Sequence, residues 1–335
     1  KKELIGSILI IRFFIGIIVS FIILLLLYHG SLETSYLPPF KSNVSEWILI
    51  VFFPISTSIF DSVIALSRMS RSKKSFGVIT GVTLVVTYAS ALFFLECTNF
   101  KVSGLLAAML FGKLFGGIGG LLLLIDQISF KFNYSIAKNL MKYCLPLIPG
   151  WWITFVAVYI SRFLVYGQNG AEFNALLSIL MKSLLLVNIV TLAFRTAWYP
   201  LAMAVYAEKK SQKFFISANR IFLTSLFMVL LVGTASVDFV VHNFLPNTYS
   251  EVAIHFPMFL LGTVLAAAED NFQLGLSLSK NTKLITIGSF IYSFTSIFIL
   301  ICFVEEYGLT AVGYSLLISA SVRLLYTYIV SQRSY

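Results

Sequence analysis

Apolar residues gather in ten blocks of about membrane length, near 8–28, 47–67, 77–96, 103–125, 147–166, 174–199, 217–240, 254–277, 284–304 and 309–330. About 20 such residues cross the hydrocarbon core of a bilayer. A backbone in lipid must satisfy its own hydrogen bonds, so single blocks of this kind predict helices and not strands. The expected fold class is all-α: a polytopic membrane protein of about ten transmembrane helices. The polar interruptions are mostly short, so consecutive helices should run antiparallel. Two are longer. The stretch from His29 to Glu46 contains Pro38 and Pro39 and reads as irregular, whereas Leu245-Pro-Asn-Thr-Tyr-Ser-Glu251 predicts a short helix at the membrane surface. Mid-chain, a basic amphipathic segment with Lys138 and Lys142 leads into Pro146 and Pro149, and a new apolar block begins there. Proline is tolerated in a first helical turn, where N–H groups lack partners anyway, so this pair marks a helix start. Four blocks precede it and six follow, which predicts an N-terminal lobe over 1–130 and a C-terminal lobe over 131–335.

Composition agrees: 59% of the 335 residues are hydrophobic, 11% are charged, and the mean hydropathy is +0.92. A net charge of +10 on a soluble chain would raise nucleic acid as a partner. The placement of the charges gives another reason, and no nucleic acid is expected. Sixteen of the 24 Lys and Arg lie at the two ends or in the loops after the second, fourth, sixth and eighth blocks. The opposite loops carry Lys41 and Lys101 among Glu33, Glu46, Glu96, Glu172, Glu251, Glu305 and Glu306. By the positive-inside rule, the even loops and both ends are cytoplasmic. The lipid bilayer is the expected solvent. Trp47, Trp151, Trp152, Tyr166, Trp198 and Tyr199 at block ends fit an interfacial belt. Cys97, Cys144 and Cys302 lie far apart, as do His29, His242 and His255. No zinc-like cluster arises from them, no cofactor is expected, and no enzyme class has the clustered His or carboxylate site it would need.

Six cations remain inside or at the ends of the blocks: Arg12, Lys113, Arg162, Lys182, Arg195 and Arg323. An ionisable group within a membrane helix is a functional candidate by default. Arg195 shares nearly one helical face with Asn188 and Thr191, and a cation beside an amide and a hydroxyl suits phosphate or sugar. Lys182 is deeper but about 120° round the helix from Asn188. Arg323 is on a stripe with Ser319 and Tyr326. Arg12 reads as an anchor, because Lys and Arg near a helix end reach the headgroups. Lys113, Arg162, Lys182, Asn188, Thr191, Arg195 and Arg323 are thus the candidate substrate residues, expected to line one cavity. Asp61, Glu269 and Asp270 are candidates for coupling to a proton or sodium ion, or for pairing with those cations. Gly112, Gly116 and Gly120 repeat every four residues inside an apolar block. That spacing predicts close helix packing and not a phosphate loop.

Several motifs carry a family resemblance. Leu140-Met-Lys-Tyr-Cys-Leu-Pro-Leu-Ile-Pro149, Ala193-Phe-Arg-Thr-Ala-Trp-Tyr-Pro200, Phe256-Pro-Met-Phe-Leu-Leu-Gly262, Asn271-Phe-Gln-Leu-Gly-Leu276 and Tyr307-Gly308 occur in this order. Together they resemble the Wzx-type O-antigen and polysaccharide flippases of the multidrug/oligosaccharidyl-lipid/polysaccharide exporter superfamily. The resemblance implies twelve helices in two six-helix lobes, so on this count the chain would lack the first two. It also implies translocation of an undecaprenyl-diphosphate-linked sugar by alternating access, with a polysaccharide polymerase as a partner. Many relatives carry an acid just before the arginine that matches Arg162, and here Ser161 stands there. The alternative within the superfamily is a cation-coupled small-molecule or drug exporter. A structural scaffold is a third reading.

Overall fold

The computed structural model describes residues 2–30, 44–69, 73–97, 101–128, 132–207 and 212–333. Its elements are helical throughout these residues, with no strand among them. They are α1 (Lys2–Gly30), α2 (Val44–Met69), α3 (Lys73–Cys97), α4 (Lys101–Leu123), α5 (Tyr134–Cys144), α6 (Leu147–Ser183), α7 (Leu185–Ala207), α8 (Gln212–Phe244), α9 (Val252–Leu278) and α10 (Thr282–Arg333). Among the described residues, nine segments are long and apolar enough to cross a membrane. The last of them covers 51 residues, Thr282–Gln332. At 1.5 Å per residue that is about 76 Å, more than twice the hydrocarbon thickness. It breaks at Gly308, whose φ of 49° and ψ of −120° end one arm and start the next. α6 breaks in the same way at Gly170, with φ 81° and ψ −171°. Only glycine reaches such positive φ without a Cβ clash. Among the described residues ten segments of about membrane length result, the number that the hydropathy pattern predicts. The sixth is built from the second arm of α6 and from α7, which follow one another across Leu184.

The chain divides into two compact units, Lys1–Leu140 and Met141–Tyr335. In the first, α2 packs on α1 and α4, and α3 packs on α4. Gly112, Gly116 and Gly120 make this possible: a Cβ at 112 or 116 would overlap the hydroxyls of Thr87 and Thr83 on α3, and one at 120 would overlap Val63 on α2. The stripe is therefore packing, as its spacing predicts. Without a hydrophobic drive between helices in lipid, such close van der Waals contact is a main source of association. A small core of Ile5, Val63, Leu66, Ile79, Leu124 and Ile128 closes one end.

The central basic segment forms α5, with Lys138 and Lys142 exposed. Asn133 caps it: its side-chain oxygen accepts the N–H groups of Ser135 at 3.1 Å and Ile136 at 3.3 Å. Such caps satisfy donors that the first turn leaves open. Pro146 and Pro149 then stand at the start of α6, the place their chemistry predicts. The predicted surface helix between α8 and α9 is a single 3₁₀ turn, Asn247–Tyr249. Most of the long segment from His29 to Glu46 lies outside the described residues.

In the second unit α9 is the enclosed element: 44% of its apolar window is buried, against 6% for α3. It packs on α10, α8, α7 and α6. Phe259 and Leu260 sit at the centre of a core with Leu177, Leu180, Phe222 and Leu300. The helix expected over 254–277 ends at Leu278, and the turn follows at 279–281.

Candidate functional site

The densest group of polar side chains in the apolar interior of the second unit grows from three consecutive residues of α9. Successive helical residues point about 100° apart, so Glu269, Asp270 and Asn271 reach three different helices. Glu269 is buried, accepts a hydrogen bond from Thr327 Oγ1 at 2.8 Å, and pairs with the Arg323 guanidinium at 3.1 Å, both on α10. Asp270 accepts the Arg195 guanidinium of α7 at 2.9 Å. Asn271 Nδ2 donates to Asn219 Oδ1 of α8 at 2.6 Å. The phenol of Tyr199 donates to the Asp270 carbonyl at 3.2 Å, and the Arg195 guanidinium lies 5.1 Å from the centre of its ring.

The two ion pairs differ in their surroundings. The side chains of Glu269 and Arg323 are 2% and 15% exposed, and Arg323 Nε is buried without a hydrogen-bond partner. Those of Asp270 and Arg195 are 32% and 37% exposed. The inner pair is thus enclosed and the outer pair is partly open to its surroundings. Two cations face two carboxylates, so the group is neutral. Pairing with cations of neighbouring helices is one of the two roles that the sequence leaves open for Glu269 and Asp270. The physical reason is that an ion left alone in a low-dielectric interior is costly, and an opposite charge on a neighbouring helix compensates it.

The other candidates are placed as follows. Thr191 is buried and its hydroxyl is spent on the Val187 carbonyl at 2.8 Å, whereas Asn188, three residues earlier, is exposed. The break at Leu184 precedes both, and Arg195 turns toward α9. The structure thus divides the three-residue polar face expected on this helix. Lys182 is exposed and Arg162 half-buried, on opposite sides of the Gly170 break, and neither is within 4 Å of a carboxylate among the described residues. In the first unit Lys113 donates to Thr57 Oγ1 at 2.9 Å and lies 4.2 Å from the ring centre of Phe53. Asp61 is exposed, one helical turn beyond Thr57. Asn219, Tyr199, Thr327, Thr57 and Phe53 were not among the sequence candidates. An interrupted apolar pattern at Asn219 and the polar run Glu269-Asp-Asn271 are the signals that could have found the first of them. Among the described residues no group of three His, Cys, Asp or Glu could hold a metal ion. The arrangement is two ion pairs on one turn of α9, each reaching a different helix.

No family model matches the sequence, and no curated protein does. Solved structures do match the fold. A MATE structure in the straight conformation superposes with a TM-score of 0.78 at 13% identity, covering 99% of this chain and 78% of that one. The Vibrio cholerae MATE transporter VcmN gives 0.78 at 12%, with the same coverage. A transporter of the MOP superfamily from Pyrococcus furiosus, described as having a binding pocket of reverse polarity, gives 0.73 at 14%, covering 99% and 79%. The chain has the fold of MATE membrane transporters. The finer resemblance to polysaccharide flippases finds no counterpart in these three structures.

Proposed function

We propose that this chain works as an alternating-access membrane transporter that exports an amphipathic small molecule in exchange for a cation, and is not an enzyme. The single observation that carries the reading is the paired carboxylates of α9 inside a MATE fold. A carboxylate held by an arginine can trade that partner for a proton or a sodium ion, and the released arginine changes the local field. Asp270, being half-exposed, is the first to meet the ion, and Glu269 is the inner partner of the same helix turn. Asp61 would serve the first unit. Repeat-built transporters commonly bind near the midplane and rock about that site.

A second reading, a flippase for undecaprenyl-diphosphate-linked sugars with a polysaccharide polymerase as partner, is favoured by Lys113, Arg162 and Lys182. These three cations lie in membrane helices without a carboxylate within 4 Å among the described residues. Each could give a phosphate a charge-assisted hydrogen bond within its own unit, with Asn188 and Arg195 as further polar groups of the second unit. Either activity belongs to the cytoplasmic membrane with both ends of this chain inside. One experiment separates the readings. The chain is expressed in a strain lacking its own drug exporters and in a strain lacking its polysaccharide flippase. The exporter reading expects ion-dependent efflux of a cationic dye, lost in Asp270→Asn, and no surface polymer. Restored polymer without dye efflux overturns it in favour of the flippase.

A further inference from the structure

The two arms of α10 enclose a groove next to their break at Gly308. Its volume is about 370 Å³ and its walls are Ile299, Phe303 and Tyr307 from one arm and Ala311, Tyr314 and Ile318 from the other. Residues four apart on the first arm and three or four apart on the second line up on facing stripes. Ile299 and Ala311 form the floor, 8% and 1% exposed; Phe303, Tyr307, Tyr314 and Ile318 form the rim, between 41% and 54% exposed. Small-molecule sites begin at about this volume. All six lining residues belong to α10.

The groove is graded along its length. At the break it carries the phenol of Tyr307, with Tyr314 about 9 Å further along the second arm, and Glu306 stands exposed beside Tyr307 and one turn after Phe303. Away from the break, toward the middle of the arms, it is lined by Ile299 and Ile318. The distance from 299 to 307 along the helix is about 12 Å. Each arm is of membrane length, so the break lies at a membrane surface and the aliphatic end lies within the hydrocarbon. Aromatic faces with a carboxylate attract an ammonium group, and a negative headgroup without an ammonium would be repelled by Glu306. The flanks of the groove are lipid-facing: Phe294, Phe298 and Ile301 are 63–67% exposed on the same arm. A ligand therefore arrives from the bilayer.

We propose that this groove binds an aminophospholipid of the surrounding membrane, with one acyl chain along Ile299 and Ile318 and the headgroup ammonium against Tyr307 beside Glu306. The site is independent of whatever solute the protein carries.

The test uses the full chain in vesicles of phosphatidylethanolamine and phosphatidylglycerol, with a trace of phosphatidylethanolamine bearing a photoactivatable acyl chain. Crosslinked peptides should concentrate on residues 299–318. Unlabelled phosphatidylethanolamine should compete about tenfold better than phosphatidylglycerol, a preference that falls to near unity in Glu306→Gln. Ile318→Trp, which fills the aliphatic end, should remove the labelling there while the thermal unfolding midpoint stays in place. Labelling spread evenly over all lipid-facing helices, or equal competition by phosphatidylglycerol, overturns the proposal. So does displacement by a soluble alkyltrimethylammonium but not by phosphatidylethanolamine, which would make the groove a site for soluble lipophilic cations.

Discussion

Glu269 and Asp270 are neighbours in sequence, yet substitution should affect them very differently. Replacing Glu269 with Gln leaves Arg323 as a lone buried cation, and breaking a buried pair from one side costs about 3–5 kcal/mol. Asp270→Asn acts on a half-exposed pair, and pairs that solvent can reach are worth about 1 kcal/mol or less. Thermal unfolding of both variants in one detergent should show a large fall for the first and a small one for the second. Adding Arg323→Met to Glu269→Gln should recover most of the loss, because no uncompensated ion remains. Equal midpoints for the two single variants would contradict the assigned burial. The charges themselves were legible in the sequence, since each interrupts an apolar run. Their partners were not: Arg195 and Asp270 are 75 positions apart, and no local periodicity links α7 to α9. Thr191 shows a related limit. Helical spacing puts it near Arg195, but only packing decides that its hydroxyl turns back onto its own helix.

Spacing was more informative for elements. The four-residue glycine repeat of α4 was readable as a contact stripe because backbone proximity needs small residues on one face. It also yields a test with an internal control. Gly116→Ala pushes a methyl group into Thr83, whereas Gly119→Ala meets nothing within 4 Å. The first should destabilise the α3–α4 contact by about 1–3 kcal/mol, as overpacking does. The second should be neutral or stabilising by up to about 1 kcal/mol, since alanine is the better helix former. Thr83→Ala should rescue the first. A loss of equal size in both variants would show that helix flexibility, and not contact, is what the glycines provide. Hydropathy read the two arms of α10 correctly as separate crossings, because Glu305 and Glu306 interrupt the run. It did not show that Leu184 divides the sixth crossing: Lys182 and Ser183 stand just before it, but no proline or glycine breaks the apolar pattern there.

At the scale of the whole molecule, the all-α fold followed from ten apolar blocks and their short connections, and the likeness to MATE structures agrees with it. Sidedness is a separate matter that the charge distribution decides. Single cysteines at Lys280 and Glu251 should differ sharply toward an impermeant thiol reagent in whole cells, silent at the first and labelled at the second. Cys97, Cys144 and Cys302 are exposed and need replacing beforehand. Labelling at position 280 from outside would invert the topology.

The ion pairs of the second unit also impose an order on biosynthesis. Arg195 leaves the ribosome 75 residues before Asp270, a delay of roughly 4–15 s at ordinary elongation rates. Glu269 likewise precedes Arg323, on the last helical arm made. Each charge must therefore be handed to the bilayer without its counter-ion, at a penalty of about 2.5–3.5 kcal/mol near a helix centre. A chain interrupted before residue 323 carries Glu269 without its partner, and protease protection of such truncated chains should show less complete insertion of α9 than in the full chain.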